Sequence, residues 1–260
     1  MSITGDLNIS TTGHVTTIEI NRPPLNFFDL DLIRQIADAL ERIDADPSCR
    51  AVVLAANGKA FCAGANFTSA KGESGEDVQR RNSGQLYLEA VRIFRNKKPI
   101  IAAIHGAAIG GGFGLAMSAD FRVTCPEARF AANFTKLGFH PGFGLTVTLA
   151  EVIGKTNAAL MFYTSRRVTG QEAFEMGLAN VLVPQDQVRT AAMKLASEIA
   201  ECSPLGLLST RATMRAGLAD RVKAATDHEL NEQSWLRATE DFKEGVKATA
   251  ERRIGNFKGR

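Results

Sequence analysis

Two glycine-containing segments follow short apolar runs, and their residue types could bind an anion through backbone N–H groups. The first is NGKAFCAGANF at residues 57–67, after the apolar run 51–55, and the second is GGGFG at residues 110–114, after the run 100–104. Glycine lets a ligand approach the backbone, and N–H groups at a helix start are free to donate. Two such groups from two turns can converge on one oxygen and stabilise negative charge on it. Tight turns packed for compactness are the alternative interpretation of both segments.

Other motifs exclude several chemistries. Leu115 and Met117 stand where a dinucleotide-binding G-x-G-x-x-G would need its third glycine, and the sequence contains neither a P-loop nor a G-x-S-x-G motif. The four cysteines have no C-x-x-C spacing and no histidine at metal-ligand spacing. We therefore expect no metal site and a reducing, cytoplasmic location.

Composition is that of a globular protein. The 260 residues are 45% hydrophobic and 23% charged, with a formal net charge of +3, which argues against disorder and gives no support to nucleic-acid binding. The N-terminus lacks the pattern of a signal peptide. Residues 99–119 are apolar and long enough to span a bilayer, but they contain five glycines and a histidine. They favour a buried strand, a turn and a helix, so we expect no membrane association.

The pattern along the chain predicts an α/β fold. Strand-like runs lie at residues 15–20, 51–55, 100–104, 122–125 and 181–183, and helical periodicity covers 29–45, 77–96, 112–119 and 145–153. This alternation is typical of a mainly parallel sheet with helical crossovers. Residues 69–76 have the composition of a surface loop. After residue 184 only helical segments follow, at 185–202, 204–218, 221–238 and 241–253. We therefore divide the chain into an α/β part, 1–184, and a helical part, 185–260.

Several ordered motifs resemble the enoyl-CoA hydratase/isomerase (crotonase) superfamily along nearly the whole chain. They are Asn21-Arg22-Pro23 with Asn26, GKAFCAGANF, KPIIAAIHGAAIGGGFGLAMSADFRV, KLGFHPGFG, TEDFKEGVKA and the closing NFKGR. The resemblance implies an α/β fold built as a spiral of ββα repeats, with a helical C-terminal trimerisation region. It also implies a homo-oligomer, either a trimer or a dimer of trimers.

The same resemblance implies an acyl-CoA thioester as substrate, with no further cofactor. The backbone N–H groups of Ala65 and Gly111 would donate to the thioester oxygen and stabilise an enolate. The other residues expected to bind the substrate or its CoA are Arg22, Leu25, Asn26, Lys59, Ala63, Asn66, Phe67, Gly110, Gly114, Asn133, Phe134, Phe257 and Lys258. For Lys59 and Lys258, a solvated surface lysine is the alternative.

The chain departs from the resembled hydratases at their acid–base positions. Gly114 and Phe134 stand where those enzymes place two catalytic glutamates, so the usual proton-transfer groups for adding water are missing. His140 lies in the loop that borders the site in the family and is a candidate catalytic residue, with a structural role as the alternative. Asn133 could position water or a thioester substituent.

Three functions are therefore considered. The first is an acyl-CoA enzyme whose hydration activity is weak and whose reaction is isomerisation, thioester hydrolysis, decarboxylation or a retro-aldol step. The second is an acyl-CoA-binding protein of the family without hydratase activity. The third, RNA binding, has the least support, because the charge is near neutral and basic residues do not alternate with aromatic ones.

Overall fold

A computed structural model describes residues 2–66 and 76–260 of the chain, which form two sheets surrounded by helices. The strands are β1 (Ser2–Thr4), β2 (Leu7–Thr12), β3 (Val15–Ile20), β4 (Ala51–Ala56), β5 (Ala60–Cys62), β6 (Ile100–Ile104), β7 (Ala107–Ile109), β8 (Phe121–Thr124), β9 (Arg129–Ala131), β10 (Arg167–Thr169) and β11 (Val181–Leu182). The helices are α1 (Leu30–Ala45), α2 (Glu76–Phe94), α3 (Gly111–Met117), α4 (Leu145–Thr164), α5 (Gly170–Glu175), α6 (Val188–Ala200), α7 (Pro204–Met214), α8 (Leu218–Leu236) and α9 (Glu240–Ala250).

Three consecutive ββα units build the body of the molecule. They are β4–β5–α2, β6–β7–α3 and β8–β9–α4. The first strand of each unit joins the larger sheet, whose order is β1-β2-β3-β4-β6-β8-β11, and the second joins the smaller sheet, β10-β9-β7-β5. Neighbouring strands from successive units pair in parallel in both sheets. This stacking of equivalent units brings β5, β7 and β9 together with their carboxyl ends at one edge.

Sequence pattern explains the long elements. Strand β4 reads AVVLAA and every residue in it is buried, as expected for a central strand covered on both faces. Helix α1 begins after Asp29, whose side chain accepts a hydrogen bond from the Leu32 N–H at 2.9 Å. Its buried positions, including Ile33, Ile36 and Leu40, recur at helical spacing and face the sheet.

Several elements differ from the sequence prediction, among them β1 and β2, which were not predicted. Helix α4 does not end near residue 153 but continues to Thr164 across a kink at Gly154, where φ is 78° and ψ is 156°. The strands of the smaller sheet have three residues each and were not predicted, because such short runs have no measurable period.

The segment after residue 184 is helical, but its helices lie on different parts of the molecule. Helix α6 packs on β4 and β6 of the larger sheet, α8 packs on α2, and α9 packs on the short 3₁₀ turn Thr135–Leu137. Val222 of α8 is completely buried, against Gly144. The division of the chain at residue 184 stays a prediction. Among the described residues, no helix is both long enough and apolar enough to cross a membrane.

Candidate functional site

The carboxyl ends of β5, β7 and β9 form the site, because the chain turns away from the small sheet at the same edge after each strand. Residues 63–66 follow β5, Gly110 and helix α3 follow β7, and Asn133 and Phe134 follow β9. Clefts beside the carboxyl ends of parallel strands are common ligand sites in α/β proteins. Both glycine-containing segments identified in the sequence therefore meet at one place.

The N–H groups of Ala65 and Gly111 lie on these two adjacent turns. A Cβ built on Gly64 would be 3.7 Å from the Gly111 nitrogen and 2.7 Å from the Ile109 oxygen, so the turns touch and only glycine fits between them. Phe28 donates its N–H to the Gly64 oxygen at 3.0 Å, which fixes the first turn. Among the described residues, neither the Ala65 nor the Gly111 N–H donates to a protein oxygen. Both donors remain available to a ligand.

Gly110 is the N-cap of helix α3 and has a φ of 56°, a conformation that favours glycine. A Cβ at this position would lie 3.3 Å from the Asn133 side-chain oxygen and 3.8 Å from the Phe134 ring. Gly110, Asn133 and Phe134 thus form one wall beside the two free N–H groups.

A cavity of about 280 Å³ opens beside these groups. Its walls are mainly aromatic and aliphatic, and none of its described lining residues is Asp, Glu, Lys, Cys or His. Lining residues include Phe27, Phe28, Ala63, Ala65, Asn66, Leu86, Tyr87, Gly110, Gly111, Asn133, Phe134, Leu137, Phe139, Phe143, Gln233, Arg237 and Val246. The enclosure suits an apolar chain whose one polar atom reaches the Ala65 and Gly111 N–H groups.

Gly114 does not line the cavity, which corrects its expected role in substrate binding. A Cβ at Gly114 would lie 2.5 Å from the Phe143 Cβ and 2.9 Å from its ring, so Phe143 fills the space beside this glycine. Phe143 is 1% exposed and packs tilted against Phe28, with ring centroids 5.8 Å apart. A glutamate at this position would require Phe143 to move.

His140 also lies off the cavity lining, so the geometry does not favour its expected catalytic role. Its Nδ1 is 2.8 Å from the Pro141 oxygen, and its ring stacks edge-on against His228 with centroids 5.7 Å apart. The His140 side chain contacts His228 of α8, while Gly142 and Phe143 of the same loop line the cavity.

Polar residues on the cavity wall that were missed in the sequence include Tyr87, Gln233 and Arg237. Tyr87 of α2 donates its hydroxyl proton to the Gln233 side-chain oxygen at 2.8 Å, and Gln233 of α8 donates to the backbone oxygens of His140 and Pro141 at 3.0 and 3.2 Å. Arg237 follows Gln233 by four residues, so both lie on one face of the helix. Burial, and to a smaller extent the charge of Glu229, raises the pKa of Tyr87 well above its ordinary value, so its phenol remains neutral.

The segment 22–26 is close to the site but mostly holds the loop in place. Asn26 is completely buried, and its amide donates to the oxygens of Asn57 and Ala60 at 2.6 and 2.7 Å. The Leu25 oxygen accepts the Ala63 N–H, while its side chain is 41% exposed. Asn26 and Leu25 are therefore not placed on the cavity wall, and their expected binding role becomes one of supporting residues 57–63.

Arg22 lines an open groove next to the cavity, together with Asn66, Ser83 and Arg237. It pairs with Asp6 at 2.7 Å and with Asp29 at 2.8 Å. Lys59 is exposed and lines neither the groove nor the cavity.

The last expected contacts are at the C-terminus. Phe257 is 41% exposed, and the Lys258 N–H donates to Asp241 at 2.6 Å, so the C-terminal segment lies along α9 and does not reach the cavity of its own chain. Phe67, and the predicted loop up to residue 75, lie outside the described residues.

Comparison with known proteins gives one consistent result. Residues 10–260 match the family model described as enoyl-CoA hydratase/isomerase. A crotonyl-CoA hydratase of Syntrophomonas wolfei is 32% identical, over 94% of each chain. A 2,3-dehydroadipyl-CoA hydratase of Escherichia coli is also 32% identical, over 98% of this chain and 99% of the relative.

A solved structure agrees with the sequence relatives. The crystal structure of an enoyl-CoA hydratase/isomerase from Pseudoalteromonas atlantica has a TM-score of 0.85 and 29% identity, and the match covers 97% of this chain and all of that one. The similarity spans both sheets and the helical C-terminal segment. It confirms the fold that the motifs predicted.

Proposed function

Because the chain belongs to the enoyl-CoA hydratase/isomerase family of enzymes, we propose that it binds acyl-CoA thioesters with the carbonyl oxygen between the N–H groups of Ala65 and Gly111. One observation carries this proposal. The two donors lie on touching turns at the cavity wall and have no acceptor within the described residues. A thioester oxygen that gains negative charge as an enolate forms would supply that acceptor. Such donors typically accelerate a reaction by about 100- to 1000-fold each.

Efficient hydration is not part of this proposal. Adding water across a double bond needs a group that removes a proton from water and a group that delivers one to carbon. The cavity wall has a neutral phenol, amides and one guanidinium, but no carboxylate or imidazole among its described residues. We infer a reaction of the family in which the protein only has to stabilise the enolate. A reaction in which a group leaves from the substrate itself would also fit.

A second candidate is an acyl-CoA-binding protein without turnover. The packing of Phe143 into the space beside Gly114 favours it, because the position of a catalytic carboxylate is filled by a buried ring. Under this alternative the free N–H groups orient the thioester but do not activate it.

The CoA portion is proposed to leave the cavity along the groove lined by Arg22, Asn66 and Ser83. Phe257 and Lys258 are proposed to contact the CoA of a neighbouring subunit in a homo-oligomer, since they do not reach the cavity of their own chain. All four cysteines are free thiols, which supports a reducing compartment such as the cytoplasm.

A panel of saturated, 2-enoyl, 3-enoyl, 3-hydroxy and 2-carboxy acyl-CoA thioesters, followed by mass spectrometry, tests the proposal. Calorimetry with the same compounds measures binding. We expect binding of thioesters with conversion of at least one class. Binding without conversion of any compound would favour the binding protein, and absence of both would contradict the proposed function.

A further inference from the structure

Among the described residues, the cavity wall has one positive charge, which the proposed thioester chemistry does not use. Arg237, the C-cap residue of α8, lines the same cavity as Ala65 and Gly111. Its guanidinium lies over the Phe139 ring, 4.9 Å from the ring centroid. Within the described chain it forms no ion pair and donates no side-chain hydrogen bond. In contrast, Arg211 of α7 and Arg215, which follows that helix, both pair with Asp120.

Arg237 is partly buried beside apolar side chains, and its charge has no paired acceptor among the described residues. Burial lowers its pKa, and the interaction with Tyr87 only partly offsets that effect. Arginine nevertheless remains protonated in proteins, so the charge persists inside an apolar wall. A desolvated charge is strongly disfavoured unless an acceptor pairs with it. The Phe139 ring face supplies a weak attraction, which leaves the planar N–H groups for an anionic oxygen.

We propose that Arg237 binds a carboxylate on the acyl part of the thioester, so that the ligands of this protein are acyl-CoA thioesters of dicarboxylic acids. This inference rests on the proposed function. A planar carboxylate matches the guanidinium fork and can accept two parallel hydrogen bonds. No aspartate or glutamate stands among the described residues of the cavity wall, so none of these residues repels the free carboxylate of the ligand.

The phosphates of CoA are the other source of an anionic oxygen, and the geometry favours the acyl carboxylate over them. Arg237 and the Ala65 and Gly111 N–H groups line one cavity of about 280 Å³, so an acyl group whose carbonyl reaches those N–H groups shares an enclosure with the guanidinium. The pantetheine arm holds the phosphates far from the thioester carbonyl. Arg237 also borders the adjoining groove, so free CoA is included in the test as a separate ligand.

Calorimetry with matched pairs of thioesters tests the inference. The pairs are succinyl- and butyryl-CoA, glutaryl- and pentanoyl-CoA, and adipyl- and hexanoyl-CoA, with free CoA as a further ligand. We expect wild-type protein to bind at least one carboxylated member about tenfold or more tightly than its methyl-ended partner. Arg237→Met should remove that preference and leave affinity for free CoA unchanged, whereas Arg237→Lys should retain part of it.

Lys136→Met is the control, because it removes one positive charge from an exposed position next to Leu137 without altering the cavity wall. It should keep the wild-type preference. Equal affinity within every pair would overturn the inference. So would an Arg237→Met variant that lowers the affinity for free CoA and for both members of a pair equally. Neither result would contradict the proposed binding of thioesters. Wild-type protein that binds no thioester would overturn the proposed function and this inference together.

Discussion

At the scale of single residues, the motifs predicted that the Ala65 and Gly111 N–H groups lie together, and the structure places them on adjacent turns. The motifs follow the short strands β5 and β7, but they did not predict the surrounding side chains. Gly114 and Phe134 could be identified as departures from the resembled motifs. The packing of Phe143 beside Gly114 and the Tyr87–Gln233 hydrogen bond could not be predicted, because they depend on side chains that are distant in sequence. The position of the His140 side chain away from the cavity wall could not be predicted either, because a loop position does not reveal which way a side chain points.

Hydration of crotonyl-CoA is the first prediction at this scale. Gly114 has no side chain and Phe134 cannot accept or donate a proton, so we expect turnover far below ~10 per second, the median of characterised enzymes. Loss of the enoyl-thioester absorbance measures the rate. Hydration at or above ~10 per second would show that another group supplies acid–base catalysis.

A second residue-scale prediction concerns the space beside Gly114. Gly114→Glu should lower the free energy of unfolding by about 2 kcal/mol or more, because its Cβ overlaps Phe143. In a cycle with Phe143→Ala, the two losses should be less than additive, since truncation removes the two ring contacts at 2.9 Å and leaves only the Cβ contact. Urea unfolding measures each variant. Gly206→Glu, at an exposed helical position, is the control and should be nearly neutral. Strict additivity, or a Gly114→Glu variant as stable as wild type, would refute this packing.

At the scale of elements, the long helices and the central strands followed from periodicity, and β3 and β6 have the predicted bounds. The strands of the smaller sheet, which lie beside the candidate site, could not be predicted from periodicity. They are too short to have a period, and only pairing with their neighbours defines them. The start of α4 depends on another long-range contact. Glu229 of α8 is completely buried and accepts from the Gly144 N–H at 2.9 Å and the Thr146 hydroxyl at 2.7 Å.

This contact leads to a prediction about α4. Burial raises the pKa of Glu229, while the hydrogen bonds from Thr146 and Gly144 oppose that shift. Through these hydrogen bonds the Glu229 carboxyl group caps the start of α4. Glu229→Ala should cost about 2 kcal/mol or more, because it leaves buried donors at the start of α4 without an acceptor. The matched control is Asp227→Ala on the same helix, which removes an exposed pair with Lys223 and should cost less than about 0.5 kcal/mol. Equal losses in urea unfolding would contradict the capping role.

At the scale of the whole molecule, the helical segment covers part of its own core and leaves apolar side chains in solvent. Val222 is fully buried, as a completed monomer core requires. In contrast, Leu205 is 79% exposed, Met214 is 81% exposed and Trp235 is 57% exposed. Large apolar side chains exposed on one segment are typical of an interface with another chain. The sequence pattern predicted amphipathic helices here but not which apolar residues stay outside.

We therefore predict a homotrimer, or a hexamer made of two trimers. Light scattering coupled to size exclusion should give three or six times the chain mass of 28.0 kDa at micromolar concentration. Replacing Trp235 and Met214 by aspartate should shift the particle toward smaller mass. A wild-type particle of 28.0 kDa would contradict the prediction.

The central claim is that the Ala65 and Gly111 N–H groups hold a thioester oxygen, and the carbonyl stretching frequency of a bound thioester tests it most directly. Infrared difference spectra with butyryl-CoA carrying ¹³C at the thioester carbonyl would isolate this band. Two hydrogen bonds polarise the carbonyl, so binding should move the band to lower frequency. Ala65→Pro removes one donor and, if circular dichroism confirms that it is folded, should return the band part of the way. A wild-type protein that binds the thioester fully but leaves the band at its solution frequency would contradict the account.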